Sequence, residues 1–135
     1  MSVEAAIVTL LTGDTAGVNA LIAGRIAAAA MPQGLARPNV VYQRIGTRRR
    51  YSNDGPTGLA RARLQVSCYA DTPKAAKQLA AAVREVLDGY SGTVGGCTIQ
   101  ALFLDDERDA PQPPATGRDL GVFGVQFDAL IHYDE

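Results

Sequence analysis

Apolar positions recur along this chain with two different periods, and the places where the period changes mark its elements. From Ala60 to Ala70 the even positions are apolar or small and the odd ones mostly polar, the period-two pattern of a half-buried strand. A β-like run, Val40-Val41-Tyr42-Gln43-Arg44-Ile45, precedes it, and Gly46–Gly58 lies between them. The spacing predicts a long hairpin whose tip carries Arg48, Arg49 and Arg50. Helical spacing follows at once. Thr72 is a good N-cap, Pro73 suits the first helical position, and Ala76, Leu79, Ala80, Val83 and Leu87 form one stripe that stops before Gly89.

The flanking elements follow from the same reasoning. Ser2 is placed to cap a helix through Leu11, with Ala6, Ile7, Leu10 and Leu11 on one face and Gly13 as its end. Asp14 can cap a second, short helix bearing Val18, Leu21 and Ile22, which stops at Gly24. Gln33–Pro38 is predicted as a loop, because proline disfavours helix in the residue before it. Gly92–Gly96 is predicted as a turn, and Thr98–Leu104 as a strand buried on both faces. An acidic and proline-bearing loop, Asp105–Thr116, then leads to the last strand, Leu120–Tyr133. In that strand Phe123, Val125, Phe127, Ala129, Ile131 and Tyr133 share one face, and Gln126, Asp128 and His132 the other. The order ααββαββ implies one α+β domain spanning residues 1–135, a mainly antiparallel sheet of about four strands with helices packed on one face.

Composition narrows the class. The 135 residues are 47% hydrophobic, enough for a core without staples, and no apolar run approaches the ~18 residues of a membrane-spanning helix. A formal net charge of -1 removes any bulk electrostatic drive towards nucleic acid. Only Lys74 and Lys77 are lysines; the other cations among the 13 are arginines. Arginine suits planar, bidentate contacts at interfaces, although the codon usage of a GC-rich gene gives the same bias. Cys68 and Cys97 make no disulfide framework, no basic leader precedes them, and Cys68 lies on the apolar face of its strand. The chain reads as a soluble protein made in a reducing compartment.

No residue constellation points to catalysis or to a cofactor. Asp105, Asp106 and Glu107 resemble a divalent-metal cluster, but neighbours on an extended chain point opposite ways, so a solvated or interface patch is the stronger reading. His132 sits on the polar face of its strand, and no nucleophile elbow supports a triad with Ser67 and Asp128. Gly92-Thr93-Val94-Gly95-Gly96 follows a helix and opens a strand, the reverse of a phosphate loop. Arg48, Arg49, Arg50 and Tyr51 could meet a nucleic-acid backbone. Adjacent arginines alternate sides, and the chain is near neutral, so docking onto protein ranks first and a small nucleic-acid-binding module second. A small enzyme ranks last.

Several segments together carry a family resemblance. They are Leu21-Ile22-Ala23-Gly24-Arg25-Ile26, Arg37–Ile45, Asp54–Val66, Leu87-Asp88-Gly89-Tyr90, the turn before Cys97, and Asp105–Asp109. In their order and spacing the chain resembles the tail-completion, or tail-terminator, proteins of long-tailed bacteriophages, prophages and gene-transfer particles. The resemblance implies a small α+β structural protein of the virion tail and neck, made in the host bacterial cytoplasm. It also implies a hexameric ring at the head-proximal end of the tail tube. That ring would stop polymerisation of the major tail tube protein and seat the head-completion (neck) proteins. DNA would pass through its channel with transient, non-specific contact. The family brings no catalytic residue, metal, cofactor or membrane contact.

A subunit of a cyclic ring needs two unlike, complementary patches. The opposite-charge candidates are Arg48, Arg49, Arg50 and Tyr51 on the hairpin, and Asp105, Asp106, Glu107, Arg108 and Asp109 on the acidic segment. The arginines are expected to reach a neighbouring subunit or the adjoining tube or neck ring.

Overall fold

Local signals set the helices. In the computed structural model, which describes residues 2–28, 37–109 and 123–134, α1 (Val3–Gly13) is capped by Ser2, whose Oγ accepts a hydrogen bond from the Ala5 N–H. Asp14 accepts from the Val18 N–H at 3.0 Å and so anchors α2 (Val18–Ile22) from outside its first turn. Ala23 and Gly24 end α2, both at positive φ (49° and 78°). Helix α3 (Pro73–Leu87) begins where Thr72 Oγ1 accepts from Ala75 N–H at 3.1 Å, with proline in the first turn. Its buried residues are Ala76, Leu79, Ala80, Val83 and Leu87, the predicted stripe.

Six strands form one sheet in the order β1-β2-β3-β6-β5-β4. They are β1 (Ile26–Ala28), β2 (Asn39–Ser52), β3 (Gly55–Ala70), β4 (Gly92–Val94), β5 (Cys97–Asp109) and β6 (Phe123–Asp134). The expectation of about four strands is thus too small by the three-residue β1 and β4. Segments so short carry no readable period, and β4 lies within the stretch expected to be only a turn. β1 runs parallel to β2 and every other pairing is antiparallel, so the sheet is mixed.

Two boundaries also move. The hairpin arms run through Gly46–Gly58, and the tip is Asn53-Asp54, so the arginines lie within β2 and not at the tip. Gly46, Gly55-Pro56 and Gly58 suggest a loop when read locally. Pairing with β3 overrides that signal, with irregularities between Arg44 and Gly46 and between Arg49 and Tyr51. Likewise Asp105–Asp109 continues β5 and is not loop, because it pairs with β6 as far as Asp109↔Val125. The rest of that expected loop, residues 110–116, the first residues of the expected last strand, 120–122, and residues 33–36 of the earlier loop lie outside the described residues.

The core lies on one side of this sheet. Leu64, Val66, Phe127, Ile131 and Leu102 are fully buried beneath Leu79, Val83 and Leu87 of α3, with Ile7, Leu11 and Ile22 of α1 and α2 in the same cluster. Each such side chain contributes about 1.5–3 kcal/mol of burial. The alternation expected for β6 is present, with Val125, Phe127, Ala129, Ile131 and Tyr133 inward. β5 is buried on one face only. Cys97, Ile99 and Leu102 face the core across an irregularity between Ile99 and Ala101, while Phe103 is 51% exposed. The helices cover one face of the sheet, as expected, and among the described residues no element covers the other face.

Candidate docking surface

Strand register lays out the uncovered face in rows. Residues directly opposite one another in antiparallel strands point to the same side, their Cβ atoms about 5 Å apart. Arg48 opposes Arg61, and Arg61 opposes His132, which gives a row of three nitrogen-bearing side chains across β2, β3 and β6. The next row holds Gly46, Arg63, Leu130 and Phe103. Phe103 also meets His132 edge to face, with ring centroids 6.1 Å apart. The alternation that buries Ala60 and Ala62 against the helices turns Arg61 and Arg63 outward.

An ion-pair network occupies the other end of this face. Asp128, whose side chain is 18% exposed, takes Arg63 at 3.3 Å and Arg108 at 3.5 Å. Arg108 also binds Asp106 at 2.9 Å, and Asp105 lies 3.7 Å from Arg63. The hydrogen bond to Asp128 is the main cause of an upward-shifted Arg108 guanidinium. On the helix side, Glu107 meets Arg84 of α3 at 3.3 Å, and Asp109 pairs with Lys77. Each of the four acids singled out in the sequence therefore has a cation within its own chain. Except for Asp128, these carboxylates are about half exposed, where one such pair contributes roughly 0–1 kcal/mol.

The four residues singled out on the hairpin separate. Arg48 points to the uncovered face. Arg49 opposes Ala60 on the other side, Arg50 sits in the irregularity before Tyr51, and Tyr51 opposes Pro56 and is 68% exposed. Arg48, Arg50 and Arg61 make no side-chain hydrogen bond or ion pair among the described residues. At this end of the sheet Arg48, Arg50, Leu59, Arg61, Gln100 and His132 line much of an open groove of about 550 Å³. Arg61, Phe103 and the exposed Ile45 went unremarked in the sequence, although Arg61 and Arg63 at odd positions of a period-two strand were its legible signal.

Geometry also decides the chemical alternatives. Ser67 pairs with Gln126, six residues along β6 from His132, so the two lie about 20 Å apart and no triad forms. Asp105 and Asp106 turn to different arginines, and among the described residues no group of three His, Cys, Asp or Glu is placed to hold a metal. Burial pushes the Cys68 thiol up to about 12, with Glu107 adding to the shift, and burial likewise raises Cys97. Neither is an activated nucleophile. Among the described residues no helix is long and apolar enough to cross a membrane.

The two edges of the sheet carry opposite charge. β1 covers β2 only at Val40–Tyr42, and β4 covers β5 only at Cys97–Ile99. Beyond these, the arginine-bearing length of β2 and the acidic length of β5 form opposite edges with no strand partner among the described residues.

Comparison with known proteins bears on this arrangement. Residues 5–132 match the family model described as tail completion protein gp17. A chain in the solved virion of a native gene transfer agent particle has the same fold, with a TM-score of 0.77 and 18% identity over 99% of this chain and 96% of that one. No curated protein matches.

Proposed function

The chain belongs to the tail completion protein gp17 family, structural components of the virion tail, and on that premise we propose that it forms a ring at the head-proximal end of the tail tube. The ring ends polymerisation of the major tail tube protein and gives the head-completion proteins of the neck a surface to dock on. DNA passes through the central channel and touches it transiently, without sequence preference. The observation that carries this reading is the placement of unlike charge on opposite sheet edges, arginines on β2 and carboxylates on β5.

A head-to-tail contact between identical subunits joins two different patches, and it closes into a ring when the rotation between neighbours closes. Opposite edges of one sheet supply such a pair. Arg50 and Tyr51 at the β2 edge of one subunit would face Asp105–Asp109 at the β5 edge of the next. The in-chain partners of those acids are exposed and weakly held, so exchanging or sharing them with a neighbour's arginines costs little. Three-residue strands at both ends of the sheet and irregularities in β2 and β5 guard the edges against indiscriminate pairing.

Negative-stain electron microscopy of the purified chain, alone and with tail tubes, tests the proposal. It predicts six-fold rings and rings capping one end of each tube. Tubes that lengthen unchecked in its presence, with no ring seen at any concentration, would defeat it.

A further inference from the structure

We propose that the groove at the arginine end of the sheet, floored by the Arg48–Arg61–His132 row, is a carboxylate-binding site for an acidic segment of a different virion protein. The inference rests on the reading of the chain as a ring subunit that must hold an adjoining ring as well as its neighbours. It concerns the face of the sheet, whereas ring closure is assigned to its edges.

Three observations carry it. First, Arg48 and Arg61 are placed side by side by the strand register and have no counter-charge within the described chain. Like charges directly opposite destabilise a sheet, so an anion bound between them removes a repulsion as well as forming new bonds. Second, the groove offers the forked guanidinium donors of Arg48 and Arg61 with the imidazole of His132 beside them, while its Gln100 amide is held by Asp134 at 3.0 and 3.2 Å. A carboxylate fits two guanidinium groups bidentately, and an imidazole can supply a further hydrogen bond. Third, Leu59 at 39% exposure lines the same groove and flanks the arginines with the apolar surface usual at protein interfaces.

The same face argues against a nucleic-acid occupant. Asp105, Asp106, Asp128 and Asp134 lie on β5 and β6, so a phosphate backbone continuing across the sheet would run onto carboxylates. A second copy's β5 strand is not the occupant either, because its Asp105–Asp109 length is the edge assigned to the neighbour's β2 in ring closure. An acidic segment without in-chain cations is the better match for the Arg48–Arg61 pair, which has no in-chain anion among the described residues.

The test uses the purified full chain and fluorescence anisotropy with two labelled probes, a hexaglutamate peptide and a 20-base-pair DNA duplex, at equal ionic strength. The expected result is saturable binding of the peptide, tighter than that of the duplex. Arg48→Gln/Arg61→Gln should weaken peptide binding by about tenfold or more, as loss of a bidentate charged pair does. Arg37→Gln/Arg84→Gln, which removes equal charge elsewhere, should leave it unchanged. Circular dichroism confirms that both variants fold. Equal weakening by the two variants, or tighter binding of the duplex that is lost with Arg48 and Arg61, overturns the proposal. Microscopy of the same samples separates it from the ring reading. Rings that persist in Arg48→Gln/Arg61→Gln while peptide binding falls support the groove. Absent rings with the expected peptide binding sink the ring reading and leave the groove standing.

Discussion

Two arginines held opposite one another with no counter-charge among the described residues should cost the isolated protein stability, and that cost is measurable. Arg48 and Arg61 are directly paired across β2 and β3 on the uncovered face. If the guanidinium charges lie about 6 Å apart in a water-like medium, Coulomb's law gives roughly 0.7 kcal/mol of repulsion. Salt reduces this to about 0.6 kcal/mol at 10 mM, where the Debye length is about 30 Å, and to near 0.1 kcal/mol at 1 M. Cross-strand like-charge pairs are destabilising by comparable amounts. The assay is a double-mutant cycle of Arg48→Gln, Arg61→Gln and the double variant, followed by urea denaturation at pH 8 in 10 mM and 1 M salt. The cycle cancels the loss of the aliphatic stems, which belongs to each residue singly. A repulsive coupling of about 0.5 kcal/mol at low salt, mostly gone at high salt, is expected. Zero or attractive coupling at low salt would mean that the two side chains diverge or already share a counter-ion. The argument for a vacant anion site would then fail.

Other consequences concern the scaffold that presents this surface. Leu79→Ala removes a fully buried side chain where α3 packs over the sheet, and should cost about 2–5 kcal/mol in urea unfolding. Asp128→Ala removes the carboxylate shared by Arg63 and Arg108, leaving them Asp105 and Asp106, and should cost about 1 kcal/mol at low salt, less at high salt, whereas Asp54→Ala at the exposed hairpin tip should be near neutral. Cys68, pushed up to about 12, keeps its proton in the folded state while the unfolded thiol loses it near its ordinary value. Stability should therefore fall as pH rises from about 9 towards 12, by at most on the order of 1 kcal/mol per pH unit, and Cys68→Ala should flatten that slope. A slope unchanged in the alanine variant would refute the assignment. The same burial predicts that thiol reagents label Cys68 only as fast as the protein unfolds.

What could be read from the chain depended on how local each signal is. Helix α3 was legible end to end because Thr72, Pro73 and the Ala76–Leu87 stripe all lie within it. The alternation of β3 and β6 was legible for the same reason. The distal half of β2 was not, since Gly46 and three arginines have little intrinsic preference for strand and are held there by pairing with β3. The acidic length of β5 was missed likewise, its extended form coming from β6. Patterning identified the arginines and the acids as opposite-charge candidates. It could not place them on opposite edges of one sheet, nor set Arg48, Arg61 and His132 in one row, because both depend on strand order and register between distant segments.

That edge placement carries the structural account, and a cryo-electron microscopy reconstruction of the assembled particle tests it most directly. The account predicts six copies around the tail axis at the head-proximal end of the tube, each with the Arg50 and Tyr51 edge of β2 against the Asp105–Asp109 edge of its neighbour's β5. A reconstruction with both edges free in solvent, or with the subunits joined through the helix-covered face, would contradict it.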